Sequence, residues 1–299
     1  MTSMTAKRRE SATGYLWSQA WLTGFILFAV VPIIVSLYLG FTDWNGVQTP
    51  QWVGLQNYRE IFRDPLFWQS SRVTLVFALL YLPASIVIGF AMALLMNQKL
   101  RGISVFRTIY YLPSVLSGVA VAVLWGFVFN REFGVLNWII GLFGIAPISW
   151  LNDPFWVLPA MVIMQLWGVG ASVIIYLGGL QGIPTELYEV ARLDGANWWR
   201  TLRAVTLPMM SPVFLLQIVV GIIGTLQIFT QAYVITSGGP NYGTYFFSLN
   251  IFNTAFQQFR FGYASALSWV LFLGIAAMTA VVFLSSKRWV YYAGGRGQR

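Results

Sequence analysis

The sequence predicts an all-α integral membrane protein with six transmembrane helices and both termini on the cytoplasmic side. Three observations carry this. Hydrophobic residues make up 58% of the 299 and charged residues only 9%, against ~25% charged in soluble domains. So few charges cannot clothe a water-facing surface of this size. Apolar runs of bilayer-spanning length, ~20 residues each, recur along the chain. The basic residues between those runs fall mostly on one side.

The runs lie at roughly 16–41, 73–97, 108–129, 156–180, 213–236 and 263–284. None of the 18 basic and 9 acidic residues falls inside them, with Arg72 at one edge, as a hydrocarbon core demands. The first run follows a basic tail over 1–15. It is longer than the ~7–15 residues of a signal-peptide core and no small-x-small site follows it, so it reads as a retained anchor. Val135–Ile148 is a shorter apolar stretch broken by Gly141, Gly144 and Pro147, and reads as an amphipathic or re-entrant piece. Pro32, Pro83, Pro113 and Pro159 lie in or near spans, where neighbouring helices or cavities satisfy freed carbonyls; simple kinking is the preferred explanation of each one alone.

Sidedness follows from lysine and arginine. Lys7, Arg8 and Arg9, then Lys99, Arg101 and Arg107, then Arg192, Arg200 and Arg203, then Lys287, Arg288, Arg296 and Arg299 share one face. Arg59, Arg63, Arg72, Arg131 and Arg260 lie on the other. The richer side is cytoplasmic, and it includes the 285–299 tail. The same clustering accounts for the net charge of +9 without nucleic acid. Cys and His are absent, which removes disulfides, thiolate catalysis, most zinc sites and imidazole chemistry. No lysine lies in a GxxxxGK loop, so no Walker-type phosphate cradle exists and the chain should neither bind nor hydrolyse ATP. No cofactor is expected in it.

The loop over 181–208 is polar and charged. Thr185 is placed as an N-cap, and Glu186 and Glu189 follow where the helix dipole favours acids. Asp194-Gly195 forms the turn. A second helix begins near Ala196, carries Trp198, Trp199, Arg200 and Arg203, and stops at Leu207-Pro208. An interfacial helix on lipid headgroups would suit the tryptophans and arginines. Glu186, Glu189 and Asp194 would be repelled by an anionic leaflet and favour a protein partner with a basic rim.

Spans four and five carry polar and small residues at helical spacing: Gln165, Gly168, Ser172 and Tyr176, then Gln217, Gly221, Gly224 and Gln231. At ~100° per residue each set shares one face. Such stripes suit a path for a hydroxylated solute, whose hydroxyls amides can meet as donors and acceptors, with Trp167 or Phe229 to stack on a sugar face. Close helix packing explains Gly221, Gly224 and Ser172 better than the path does, whereas the path is the better reading of Gln165, Gln217 and Gln231.

Glu189-Val190-Ala191, three residues, Gly195, nine residues, Val205, one residue and Leu207-Pro208 resemble the EAA loop of permease subunits in binding-protein-dependent ABC importers. Val190 and Val205 replace the family's Ala and Ile. Gly54-Leu55-x-Asn57-Tyr58, Arg107-x-x-Tyr110-Tyr111-Leu112-Pro113, Thr236-x-Gly238-Gly239-Pro240 and Gly262-Tyr263-Ala264 are similar to the carbohydrate-uptake branch, of maltose and glycerol-phosphate type. The resemblance implies a type I importer permease in a bacterial or archaeal cytoplasmic membrane. It implies a second homologous permease, a cytoplasmic ABC ATPase dimer that binds ATP and Mg, an extracytoplasmic binding protein, membrane lipid and a carbohydrate or polyol substrate. It implies ATPase coupling through Glu186, Glu189, Ala191, Asp194, Gly195, Ala196, Leu207 and Pro208. It points to a substrate path at Gln165, Trp167, Gly168, Gln217, Thr225 and Gln231. The alternative is an ion-coupled secondary transporter of a small polar solute; intramembrane carboxylates, frequent in such proteins, are missing here. A membrane-embedded enzyme lacks a nucleophile–base set, and a bare scaffold leaves the loop and stripes unexplained.

Overall fold

In a computed structural model, residues 15, 18–19, 21–98 and 101–291 are described. Lys7, Arg8, Arg9, Lys99, Arg296 and Arg299, on which part of the orientation rests, lie outside them. The elements in order are α1 (Trp21–Leu39, with a π-helical turn at Ile26–Val30), β1 (Thr42–Asp43), β2 (Gln51–Trp52), α2 (Gln56–Ile61) and α3 (Pro65–Met96). Then come α4 (Ile103–Val115), α5 (Gly118–Val128), α6 (Val135–Gly141), α7 (Val157–Trp167) and α8 (Gly170–Gln181). The chain continues through α9 (Thr185–Leu193), α10 (Trp198–Thr201), a π turn (Leu202–Thr206), α11 (Leu207–Leu226), α12 (Thr230–Ile235), α13 (Phe247–Phe252) and α14 (Phe261–Ser286).

Among the described residues, four helical stretches are long and apolar enough to cross a membrane: Trp21–Leu39, Pro65–Met96, Trp198–Ile235 and Phe261–Ser286. Two more pass only as bent pairs, α4 with α5 at 102° and α7 with α8 at 49°, giving up to six spans. The apolar run over 108–129 is therefore not one straight helix. It breaks at Leu116 and Ser117, both extended, just after Pro113, whose ring removes a helical donor. The run over 156–180 breaks at Gly168-Val169. Pro83, by contrast, lies inside an unbroken α3. That helix also begins earlier than the apolar run, at Pro65, and inside it Ser70 and Thr74 return their hydroxyls to the carbonyls of Phe67 and Ser70.

The chain divides into two compact units, with the boundary falling inside α13 and α14. The first comprises residues up to Asp64 and 251–270. Its organising residue is the buried Asn57, whose Nδ2 donates to the carbonyls of Gly40 (3.0 Å) and Thr42 (2.9 Å). Strands β1 and β2 pair antiparallel, Thr42 opposite Trp52. Gly262 passes so close to the Thr42 carbonyl that no Cβ fits. Arg260 bonds Glu60 at 2.6 Å and lies 4.4 Å over the ring of Tyr263, whose hydroxyl donates to Asp64 at 2.9 Å. The Gly54-Leu55-x-Asn57-Tyr58 and Gly262-Tyr263-Ala264 motifs thus belong to one packed unit.

The second unit holds the rest. One cluster gathers Phe77, Phe129, Trp150, Met161, Met164 and Phe246. A second gathers Phe90, Ala93, Val173, Tyr176, Leu180 and Met210, with Tyr188, Leu202 and Val205 packed against it. That second cluster seats the polar loop after α8 on the ends of α3, α8 and α11.

Candidate coupling surface and solute path

The loop folds as helix, turn, helix, and its hydrogen bonds explain its residues. Helix α9 is capped by Pro184, and Thr185 is its first helical residue, without a side-chain capping bond. This corrects the placement of Thr185 as the cap: proline in an extended conformation already ends the preceding chain. Glu186 lies in the first turn and Arg192 in the last, complementing the helix dipole at both ends. At the far end the Ala196 amide donates to the Ala191 carbonyl (2.9 Å) and the Gly195 amide to the Arg192 carbonyl (3.0 Å). This nested pair is the Schellman motif. Gly195 adopts φ +70°, which L side chains rarely accept. Ala191 is buried beneath it, whereas Glu186, Glu189 and Asp194 are exposed.

The cap of the second helix is Asn197, whose Oδ1 accepts from the Arg200 amide at 2.9 Å. Sequence reasoning passed over it, although Asn before a helical run is a strong start signal. Leu207-Pro208 does not stop this helix. From Trp198 the chain runs through α10, the π turn and α11 to Leu226 without interruption. Pro208 sits in the first turn of α11, and the wider ring before it, where the Leu207 amide reaches Leu202, takes up the change of helical register. Inward, Tyr188 approaches the buried Thr206 hydroxyl at 3.3 Å. Outward, Leu193 (87% exposed), Trp199 (70%) and Trp198 form an apolar ledge beside the three acids.

A cavity of about 230 Å³ lies between α3, α7, α8 and α11. Gln165, Ser172, Tyr176, Gln217, Gly221, Gly224 and Thr225 line it, joined by Tyr81 and Ser85 of α3. The buried Tyr176 hydroxyl lies beside Gln217 without a well-formed hydrogen bond, so donor and acceptor capacity remains. Thr225 spends its hydroxyl on the Gly221 carbonyl at 2.7 Å. The structure therefore brings Gln165, Gln217 and Thr225 together, but not Trp167, Gly168 or Gln231. Trp167 ends α7 and meets Trp125 edge to face, with ring centres 6.0 Å apart. Gly168 forms the break after it. Gln231 lies beyond the break at 227–229, where its amide faces Gly118. A helical wheel carried across that break put it on the wrong face. Tyr81 and Ser85, four apart on one face of α3, were legible by the same spacing.

Nothing in this arrangement performs covalent chemistry. One continuous helix joins this polar cavity to an element at the end of the spans, an arrangement suited to a transport subunit of the membrane. Residues 85–296 match the model of the family described as "Binding-protein-dependent transport system inner membrane component", and the chain belongs to that family. Among its relatives, the probable ABC transporter permease protein YesP of Bacillus subtilis is 36% identical over 290 residues, covering 95% of this chain and 94% of the relative. The trehalose/maltose transport system permease protein MalF of Thermococcus litoralis is 31% identical, covering 94% and 96%. The fold matches a chain in the crystal structure of a bacterial ABC transporter that imports the acidic polysaccharide alginate, with a TM-score of 0.84 at 23% identity, covering 95% of this chain and 98% of that one. The chain is thus an inner-membrane transport component, of a family of permease subunits rather than ATPases.

Proposed function

We propose that this chain is one of two permease subunits of an ATP-driven importer for a sugar, oligosaccharide or polyol brought by an extracytoplasmic binding protein. The observation that carries the reading is the unbroken helical run from Trp198 to Leu226, which ties the exposed helix–turn–helix to the cavity side chains Gln217 and Thr225. A cytoplasmic ATPase dimer, which binds the ATP and Mg, would grip the ledge of Leu193, Trp198 and Trp199, with Glu186, Glu189 and Asp194 facing its basic rim. Ala191, Gly195 and Ala196 shape the turn, and Leu207 and Pro208 join it to the span. The cavity forms the path, with Trp167 and Gly168 at the break between α7 and α8, and Gln231 beyond the break after α11, as further stations along it. This reading places both termini and the 181–208 loop in the cytoplasm. Trehalose/maltose transport by a 31% identical relative supports the substrate class, and the neutral lining of the cavity agrees with it.

The test is copurification of the ATPase with Gly195→Val. A β-branched residue at φ +70° costs ~1–2 kcal/mol and reshapes the turn alone. The expected result is a permease of normal yield that retains less ATPase and transports less solute. Full retention and normal uptake would defeat the docking assignment.

A further inference from the structure

The second unit holds a recess of about 620 Å³, larger than the 230 Å³ cavity and unused by anything above. Specific small-molecule pockets run from ~300 to 1,000 Å³, a range that includes the recess. It opens beside the end of α5, the turn after Asn130, the segment 149–152 and residues 235–240. The 149–152 segment precedes the bent pair α7–α8, and the coupling loop follows that pair. With α7–α8 as one span, the recess and the loop lie on opposite membrane faces.

Two buried side chains build its walls. Asn137 (6% exposed) has Nδ2 within 3.2 Å of the carbonyls of Asn130, Arg131 and Ile148, while its Oδ1 accepts from the Ile148 amide and from Trp150 Nε1, each at 3.0 Å. Thr244 (0% exposed) donates its hydroxyl to the Gly239 carbonyl at 2.8 Å and meets the Thr236 hydroxyl at 2.6 Å. Both clasps fix backbone that lines the recess, and such preorganisation favours binding. Arg131, Glu132, Ser149 and Asn152 are among the lining residues. Their side chains supply both donors and acceptors, as a polyhydroxylated solute requires, and one charge of each sign.

We propose that this recess is an outer carbohydrate subsite, which holds the sugar between its release from the carrier protein and its passage to the inner cavity; this rests on the importer reading above. Gly126 lines the recess, and a Cβ there would meet nothing within 4 Å. Gly126→Phe therefore fills the space without displacing backbone, and Gly141→Phe, outside the recess and likewise with nothing within 4 Å of an added Cβ, is the control for bulk. A second variant, Glu132→Gln with Asn152→Ala, removes polar contacts without adding bulk. The test uses the complete importer in proteoliposomes, with uptake of trehalose, maltose and lactose and the affinity of the loaded carrier protein measured on the same samples. The expected result is a roughly tenfold loss of uptake for Gly126→Phe and a smaller loss for the polar variant. Gly141→Phe should be normal and carrier affinity unchanged throughout. Unchanged uptake in both variants would overturn the subsite, and so would a loss matched by weaker carrier docking, which would make the recess a protein seat. Failure of the wild-type importer to take up any of these sugars would instead defeat the sugar reading, and the subsite with it.

Discussion

Gly170→Ala should destabilise the protein, and Gly178→Ala, in the same helix, should not. Gly170 opens α8 where it crosses α4. A Cβ there would fall inside the van der Waals envelope of the Tyr110 carbonyl oxygen, 2.9 Å from that carbonyl carbon and 3.0 Å from Tyr111 Cα. These are backbone atoms, so no rotamer change relieves the overlap. Carbon pairs are comfortable at ~3.5–4.0 Å, so the two helices must separate by a sizeable fraction of an ångström. Overpacking of this kind costs ~1–3 kcal/mol. At Gly178 an added Cβ would meet nothing within 4 Å, and alanine gains ~0.5–1 kcal/mol over glycine in a helix interior. The two variants should therefore differ by ~1.5–4 kcal/mol in opposite directions. Melting midpoints in one detergent at one scan rate decide it, since such unfolding is scan-rate dependent. Gly170→Ala should also slow uptake, because Gln165 and Ser172 flank this joint. A Gly170→Ala protein as stable as wild type would refute the close-packing argument.

The chain has no Cys, so single cysteines report sidedness. Leu193→Cys should react with an impermeant maleimide only from the cytoplasm and Phe133→Cys only from outside; labelling from one side would break the proposed span count. Asn57→Ala leaves the Gly40 and Thr42 carbonyls without their amide donor, and at ~1–3 kcal/mol per unsatisfied buried group the melting midpoint should fall by several degrees; an unchanged midpoint would show that water replaces the amide. Gln217→Leu should lower solute uptake while ATPase copurification stays normal, and preserved uptake would remove the cavity from the path.

The turn of the 181–208 loop was legible because its hydrogen bonds are local: Gly195 and Ala196 close back on Ala191 and Arg192 within six residues. The cavity stripe Gln217, Gly221 and Gly224 was legible because α11 is unbroken across it. Hydropathy does not register a change of axis. It could not show that the third span turns by 102°, or that Gln231 belongs to a different segment from Gln217. Pro208 misled for a related reason. Proline stops a helix where its missing amide is needed, and here the π turn before it had already altered the register. Asn57, Asn137 and Thr244 carried no periodic signal, since each acts on backbone brought to it by the fold.

The placement of the breaks bears on how the path would open. At 1.5 Å per residue, Gln217 lies about 28 Å along the helical run from Trp198. A tilt imposed at the surface thus reaches the cavity as a displacement of Gln217, Gly221 and Thr225 together, provided the run stays stiff. Its weak point is the π turn at Leu202–Thr206, and there the Tyr188 hydroxyl meets Thr206, tying α9 to the run so that α9 and α10 would move as a body. The run ends at Leu226, and residues 227–229 separate it from α12. Helix α12 packs instead beside α5, where Thr230 and Gln231 face Gly118, and its end borders the larger recess. Motion of α11 therefore need not reach that recess. One helix interrupted at 227–229 would let the inner cavity change shape while the outer walls, pinned by Asn137 and Thr244, stay fixed. An unbroken helix in its place would transmit the same tilt to both chambers at once.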